Sequence, residues 1–169
     1  MHLDPIPRPD GFIRVAAHLA ALQHAHAPLW LDVAARTSQE AADALGVSLG
    51  QIAKSVVFRR KSDEQAVLVI TSGDRRVDEK KLKEITGTLG RADADYVKAR
   101  TGFSIGGVSP LGFAPTDGAS DPLLFVDQEL FRFDVIWAAA GHPNGVFKMT
   151  PAELAALTGA PVIDVVQVG

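Results

Sequence analysis

Cysteine is absent from the 169 residues, which removes disulfides, thiolate metal sites and a cysteine nucleophile. Positive charge has no excess. Seventeen Lys and Arg against 20 Asp and Glu give a net charge of −3, which argues against a protein that coats nucleic acid but leaves room for local basic patches. No apolar run approaches the ~20 residues of a membrane span, and no charged-then-apolar leader opens the chain. A cytoplasmic protein is expected, with no membrane partner. Internal repeats, low-complexity tracts and an interdomain linker are also missing. The hydrophobic content of 47% with 22% charged is that of one globular domain long enough to bury a real core.

What is present reads as short elements with clear punctuation. The start "MHLDPIPRPD" is expected to be extended. Asp10 is placed to cap a helix from about Gly11 to His24, with Phe12, Val15, Leu19 and Leu22 along one face. "PLWLDV" reads as a short strand. Thr37 with Glu40 and Ser48 with Gln51 form two capping boxes, the first for a helix ending at Leu45-Gly46, the second for a very short one. After Lys54 the period changes: "SVVFRR", the polar turn "KSDEQ" and "AVLVITS" predict a hairpin. "VDEKKLKEITG" and "DADYVKARTG" are helices stopped by Gly87 and Gly102, and the Gly/Pro-rich stretch after them is loop. "LLFVD", "DVIWAAAG" and "GVFKM" are strands. Thr150-Pro151 with Glu153 starts a helix ending at Gly159, and "PVIDVV" is a last strand. This order predicts one mixed domain around a central sheet or partial barrel.

Several local patterns compete for the function. "EAADALGVSLGQIAKSVVFRR", residues 40–60, has the small contacts, turn and buried apolar residue of a helix-turn-helix. A reading helix, however, must run for two or three turns and face a major groove. Here it contains Gly50, offers only Gln51 and Lys54, and meets the strand-like Ser55-Val56-Val57-Phe58. Duplex DNA is therefore not the expected partner. "GFSIG", Gly102 to Gly106, fits a nucleophile-elbow pattern with Asp134 and His142 downstream. The elbow needs a strand before its serine and a helix after it, whereas a helix precedes Ser104, and Gly107 and Pro110 oppose one afterwards. His18, His24 and His26 lack the i, i+4 spacing of a helical metal pair, so no metal is expected. "DRRVDEKKLK" is most simply a solvated helix face, although Arg75, Arg76, Lys80 and Lys81 are able to meet phosphates. There remain Lys54, where helix hands over to strand, and the Gly106-Gly107-Val108-Ser109-Pro110 loop. Two consecutive glycines let backbone N–H groups approach a ligand closely, as an anion nest or oxyanion site requires. The loop lacks the Gly-Lys-Ser/Thr ending of a P-loop.

The segments "TSQEAADALGVSLGQIAKSVVFR", "VLVITSGDRRVDEKKL", "GFSIGGVSPLGF" and "AAGHPNGVFKMTPAEL", in that order, resemble the YbaK/ProX family of aminoacyl-tRNA editing domains, relatives of the editing insertion of bacterial prolyl-tRNA synthetases. The resemblance covers about residues 25–165, with the N-terminal helix (about 11–25) ahead of it. It implies an α+β single domain with a mixed, largely antiparallel, barrel-like sheet surrounded by short helices. It implies a trans-editing deacylase without cofactor, hydrolysing the ester of a tRNA mischarged with a small amino acid. The partners it implies are the 3′ end of that tRNA and an aminoacyl-tRNA synthetase. The family lysine falls on Lys54 and its glycine loop on Gly106 to Pro110, so Lys54, Gly106 and Gly107 are the expected catalytic residues. Thr37, Val108, Ser109, Pro110, Gly141 and His142 are expected to contact substrate.

Overall fold

In the computed structural model, which describes residues 8–116 and 118–167, the helix boundaries follow local chemistry. Helix α1 (Asp10–Ala21) buries Val15 and Leu19. Pro9 is its N-cap and no side chain caps it, so Asp10 is the first helical residue rather than the cap; there its negative charge favours the helix N-terminus. The expected extended start falls mostly on residues 1–7, outside those described. Helix α2 (Ser38–Leu45) begins where Thr37 Oγ1 accepts the Glu40 N–H and ends at Gly46, φ +69°. The Glu40 carboxylate accepts the Thr37 hydroxyl, so the expected box is half formed. Ser48 and Gln51 make the full reciprocal box of a 3₁₀ turn over Leu49–Gln51. Helices α3 (Glu79–Thr86) and α4 (Ala94–Thr101) are capped by Asp78 and Asp93, and α5 (Pro151–Thr158) by the Thr150–Glu153 box.

Eight strands join one mixed sheet: β1 (Leu29–Trp30), β2 (Ile52–Arg60), β3 (Ala66–Ser72), β4 (Leu89–Arg91), β5 (Leu123–Asp127), β6 (Ile136–Ala139), β7 (Gly145–Met149) and β8 (Val162–Ile163). The order is β1-β7-β6-β2-β3-β5-β8, with β4 added to β2, and the path does not close. Four ladders are antiparallel and three are parallel. The β2–β3 hairpin forms as its pattern predicts, with Val56 opposite Val69 and Phe58 opposite Val67. Strand β3 is buried along its whole length, which is why it reads as a nearly continuous apolar run.

One face of the sheet, with Leu68, Ile70, Val126, Ile136 and Phe147, packs against Val15 and Leu19 of α1, Val97 of α4 and Leu154 of α5. The other carries Val67 and Val69 under Leu82 of α3. The α2 turn makes a third small cluster from Ala35, Ala41, Ala42 and Ile52. Its second arm has three residues before β2 begins, far too short to fill a major groove. Two elements lack a sequence signal. Strand β4 exists because Phe58–Arg60 of β2 pairs with it, and a 3₁₀ turn over Gln128–Arg132 follows the Asp127 cap.

Candidate active site

The site grows from an interruption in the pairing of β2. On one edge β3 pairs with it from Ala53 to Arg59. On the other, β6 pairs only with Ile52 and Ala53, and β4 only from Phe58 to Arg60. Residues 54–57 therefore have no strand beside them on that edge. The N–H of Arg60 donates to Gln65 O (2.9 Å) and Ile52 O accepts from Gly73 (2.7 Å), so even-numbered residues turn their backbone groups toward β3. By strand alternation Ser55 and Val57 turn theirs toward the gap. The Ser55 Oγ is buried and has no hydrogen-bond partner.

A cavity of about 340 Å³ fills this gap, within the range of roughly 300–1,000 Å³ usual for small-ligand sites. Six alanines border it, Ala35, Ala41, Ala53, Ala92, Ala138 and Ala139, and their short side chains keep it open. Polar groups come from Arg36 and Thr37 ahead of α2, from Ser38 at its first position, and from Lys54 and Ser55; Ile105, Gly106 and Val108 complete the wall. Lys54 is the third residue of β2, so it lies within the strand rather than at its junction with the helix. It is half-buried and makes no ion pair among the described residues. Burial, with the nearby Arg76 charge, holds its ammonium below the ordinary lysine range, while Asp74 opposes this. Asp74 is itself engaged by Arg132, at 2.8 Å, and by Arg75.

The glycine loop begins where α4 stops at Gly102, φ +80°. Gly107 donates to Ser104 O (3.0 Å), closing a turn in which Gly106 adopts φ +92°. That bond occupies the Gly107 amide, which the sequence had offered as a ligand donor. The amides of Gly106 and Val108 have no acceptor among the described residues. Gly106 borders the cavity, while Gly107 lies behind it with its Cα against the His142 backbone: a Cβ there would sit 2.7 Å from His142 Cα. Ser109 and Pro110 are buried beneath the loop, and the Ser109 hydroxyl accepts Leu111 N–H (3.3 Å). Ser104 is exposed, and no helix follows it before β5, so the nucleophile-elbow geometry is not formed.

Gly141 and His142 also stand behind the wall, outside the cavity lining. Gly141 takes φ +83°, and a Cβ there would clash with Gly11 O. The His142 ring stacks on Trp30 with centroids 4.9 Å apart at 26°, and its Nδ1 accepts the Asn144 N–H (3.1 Å). Burial and the Arg36 charge lower its pKa from the usual 6.5, which favours the neutral ring that this acceptor role requires. The structure thus brings together Thr37, Lys54, Gly106 and Val108 around one cavity, and places Gly107, Ser109, Pro110, Gly141 and His142 as its backing. Sequence reasoning missed Arg36 and Ser55. Neither belongs to a local motif, and only the sheet gap reveals Ser55. His24 donates from Nε2 to Lys148 O (2.8 Å), a structural tie to β7, and it does not line the cavity.

Comparison with known proteins places this arrangement. A family model described as the aminoacyl-tRNA editing domain matches residues 32–157. The uncharacterized protein YwhH of Bacillus subtilis is 37% identical over 136 residues, covering 79% of this chain and 83% of that protein. The proline–tRNA ligase of Pelotomaculum thermopropionicum is 37% identical over 89 residues, which cover 52% of this chain and 15% of the ligase. A crystal structure described as a candidate trans-editing enzyme for prolyl-tRNA synthetase superposes with a TM-score of 0.85 at 35% identity, covering 96% of this chain and all of that one. With the family model spanning the cavity, the lysine and the glycine loop together, the chain belongs to the aminoacyl-tRNA editing domain family.

Proposed function

We propose that the protein hydrolyses, in trans, the ester joining a wrong, small amino acid to the 3′-terminal adenosine of a tRNA. The observation that carries this reading is the cavity in the β2 gap. It combines a cation without an ion pair, two loop amides without an acceptor and a serine hydroxyl without a partner among the described residues, with no thiol or serine elbow beside them. Such a site suits an ester that is already activated. A water oxygen bonds to the carbonyl carbon, the bond to the ribose oxygen breaks, and that oxygen leaves as the free hydroxyl of the tRNA. Positioning and oxyanion stabilisation suffice for this step.

In this reading the amides of Gly106 and Val108 face the developing oxyanion. Lys54 holds the ribose and terminal phosphate, and Ser55 orients the aminoacyl group or the water. A substrate amine or hydroxyl relays the proton. The alanine-lined wall limits the side chain by size, the logic of a double sieve. The descriptions of the ligase relative and the trans-editing structure support a tRNA charged by prolyl-tRNA synthetase as the substrate, and that synthetase as a partner. The test is a deacylation panel on tRNAs mischarged with alanine, serine, cysteine and threonine. Hydrolysis of at least one, faster than of the correctly charged tRNA, is expected. No turnover of any of them would leave a binding module that keeps the fold.

A further inference from the structure

Four cations precede or open α3, and the fold sorts them into two kinds. Arg75 is committed to Asp74 (3.3 Å) and Glu129 (3.4 Å). Lys81 Nζ donates to the Asp164 carboxylate (3.1 Å) and to Val166 O (2.8 Å). Arg76 and Lys80 are exposed and form no ion pair among the described residues. Both of these uncommitted cations line a single open groove of about 660 Å³, with Val56 and Phe58 along it and Lys54 at its edge. Lys54 and Val56 also line the cavity, so groove and cavity share two residues of β2.

Among the described residues that line the groove, positive charge is in excess. Asp78 and Glu79 also border it, but the Asp78 carboxylate is turned to the N–H groups of Lys80 and Lys81 as the α3 cap. Lys54, Arg76 and Lys80 therefore outnumber the Asp78 and Glu79 carboxylates by three to two, and Asp78 is held in place as a cap. Val56 and Phe58 are only partly buried in the packing under α3, leaving apolar surface in the groove beside the cations. Cations spaced along a groove with an aromatic surface beside them are what an unpaired nucleic-acid strand needs, because phosphates meet the charges while a base stacks.

We infer that this groove holds the single-stranded RNA nucleotides that precede the esterified one, with phosphates toward Arg76 and Lys80 and a base against Val56 and Phe58. The assignment rests on the ester-hydrolysis reading, since the occupant of the cavity fixes which end of the strand lies at Lys54. It is tested with uncharged RNA, so a failed deacylation panel and a failed groove are told apart.

Binding of a fluorescent acceptor-stem microhelix ending in unpaired CCA is measured by anisotropy, against the same helix trimmed blunt. The proteins are the full chain, the Arg76→Gln/Lys80→Gln variant, and a charge-matched Lys81→Gln/Lys83→Gln variant, each checked for folding by its melting temperature. The tailed helix is expected to bind at least tenfold tighter than the blunt one. Arg76→Gln/Lys80→Gln should lose about tenfold or more of that affinity. It should also flatten the slope of log affinity against log salt by about 1.4, two single-strand phosphate contacts at ~0.7 each. The charge-matched variant should change binding less than about twofold, since its lysines do not line the groove. Equal binding of tailed and blunt helices overturns the inference. So does an undiminished affinity in Arg76→Gln/Lys80→Gln, or competition by polyglutamate as strong as by unlabelled tailed RNA.

Discussion

Ser55 carries an oxygen that folding has buried and left without a partner. A buried hydroxyl in that state costs about 1–3 kcal/mol, so its removal should not harm the fold. Ser55→Ala is expected to keep its melting temperature or gain a few degrees, at roughly 2–4 °C per kcal/mol, while single-turnover deacylation slows. Thr71 provides the control, since its Oγ1 is equally orphaned but does not border the cavity. Thr71→Val should match Ser55→Ala in stability and the wild type in rate. Lys54 follows related logic with a charge. Its pKa is lowered from 10.5, by burial first and Arg76 second, so at neutral pH the fold carries a cation that the unfolded chain holds more easily. That penalty fades as pH rises through the folded value toward 10.5. Lys54→Met should therefore melt no lower than the wild type at pH 7, with the difference shrinking in alkali. Its deacylation rate should fall ten- to over a hundredfold, the equivalent of a charge-assisted contact worth ~1.5–3 kcal/mol. A wild-type rate in a folded Lys54→Met protein would remove this residue from the mechanism.

Loops and turns supply the next set of expectations. A Cβ at Gly106 would meet nothing closer than 3.6 Å, but the residue sits at φ +92°. Gly106→Ala should thus cost backbone strain of about 1–3 kcal/mol without a clash. At Gly107 the problem is the reverse: a Cβ would press on His142 N, Cα and C at 2.7–2.9 Å. Gly107→Ala should separate the loop from the 141–144 turn and lower stability and turnover together, read by melting temperature and rate on the same preparation. The ring of His142 adds a pH dependence. Its pKa lies below 6.5, from burial first and Arg36 second. The stability it contributes is present above pH 6.5 and is lost as pH falls through its folded value. Melting temperatures between pH 7.5 and 5 should show that loss, and His142→Gln should flatten it. Much at this scale was legible beforehand. The Ser48 and Thr150 boxes and the glycine stops act within a few residues, so the sequence displays them directly. Strand β4 did not show, because Leu89–Arg91 is extended only where β2 lies beside it. Nor does the sequence show that the Gly107 amide is taken, because its acceptor, Ser104 O, comes within reach only when the turn closes.

Across the whole molecule, the helix pair of residues 38–51 shows why local likeness alone misleads. Its spacing of Ala41, Ala42 and Ile52 serves a small cluster at one corner of the sheet, and its second arm ends as soon as β2 begins. The mixed domain around a central sheet and the hairpin could be read from period and punctuation, and the α+β class from the family resemblance. The place of the cavity could not, because it depends on where β6 stops pairing and β4 starts, two events separated by nearly fifty residues of chain. That break in the sheet has a consequence for how such a protein can change over time. Part of its polar lining is main chain, which substitution does not erase, while the surrounding wall is built from alanines that can be exchanged singly. Specificity can then drift by one methyl group at a time while the floor stays constant, so descendants of one scaffold can come to police different amino acids without first losing the ability to bind any.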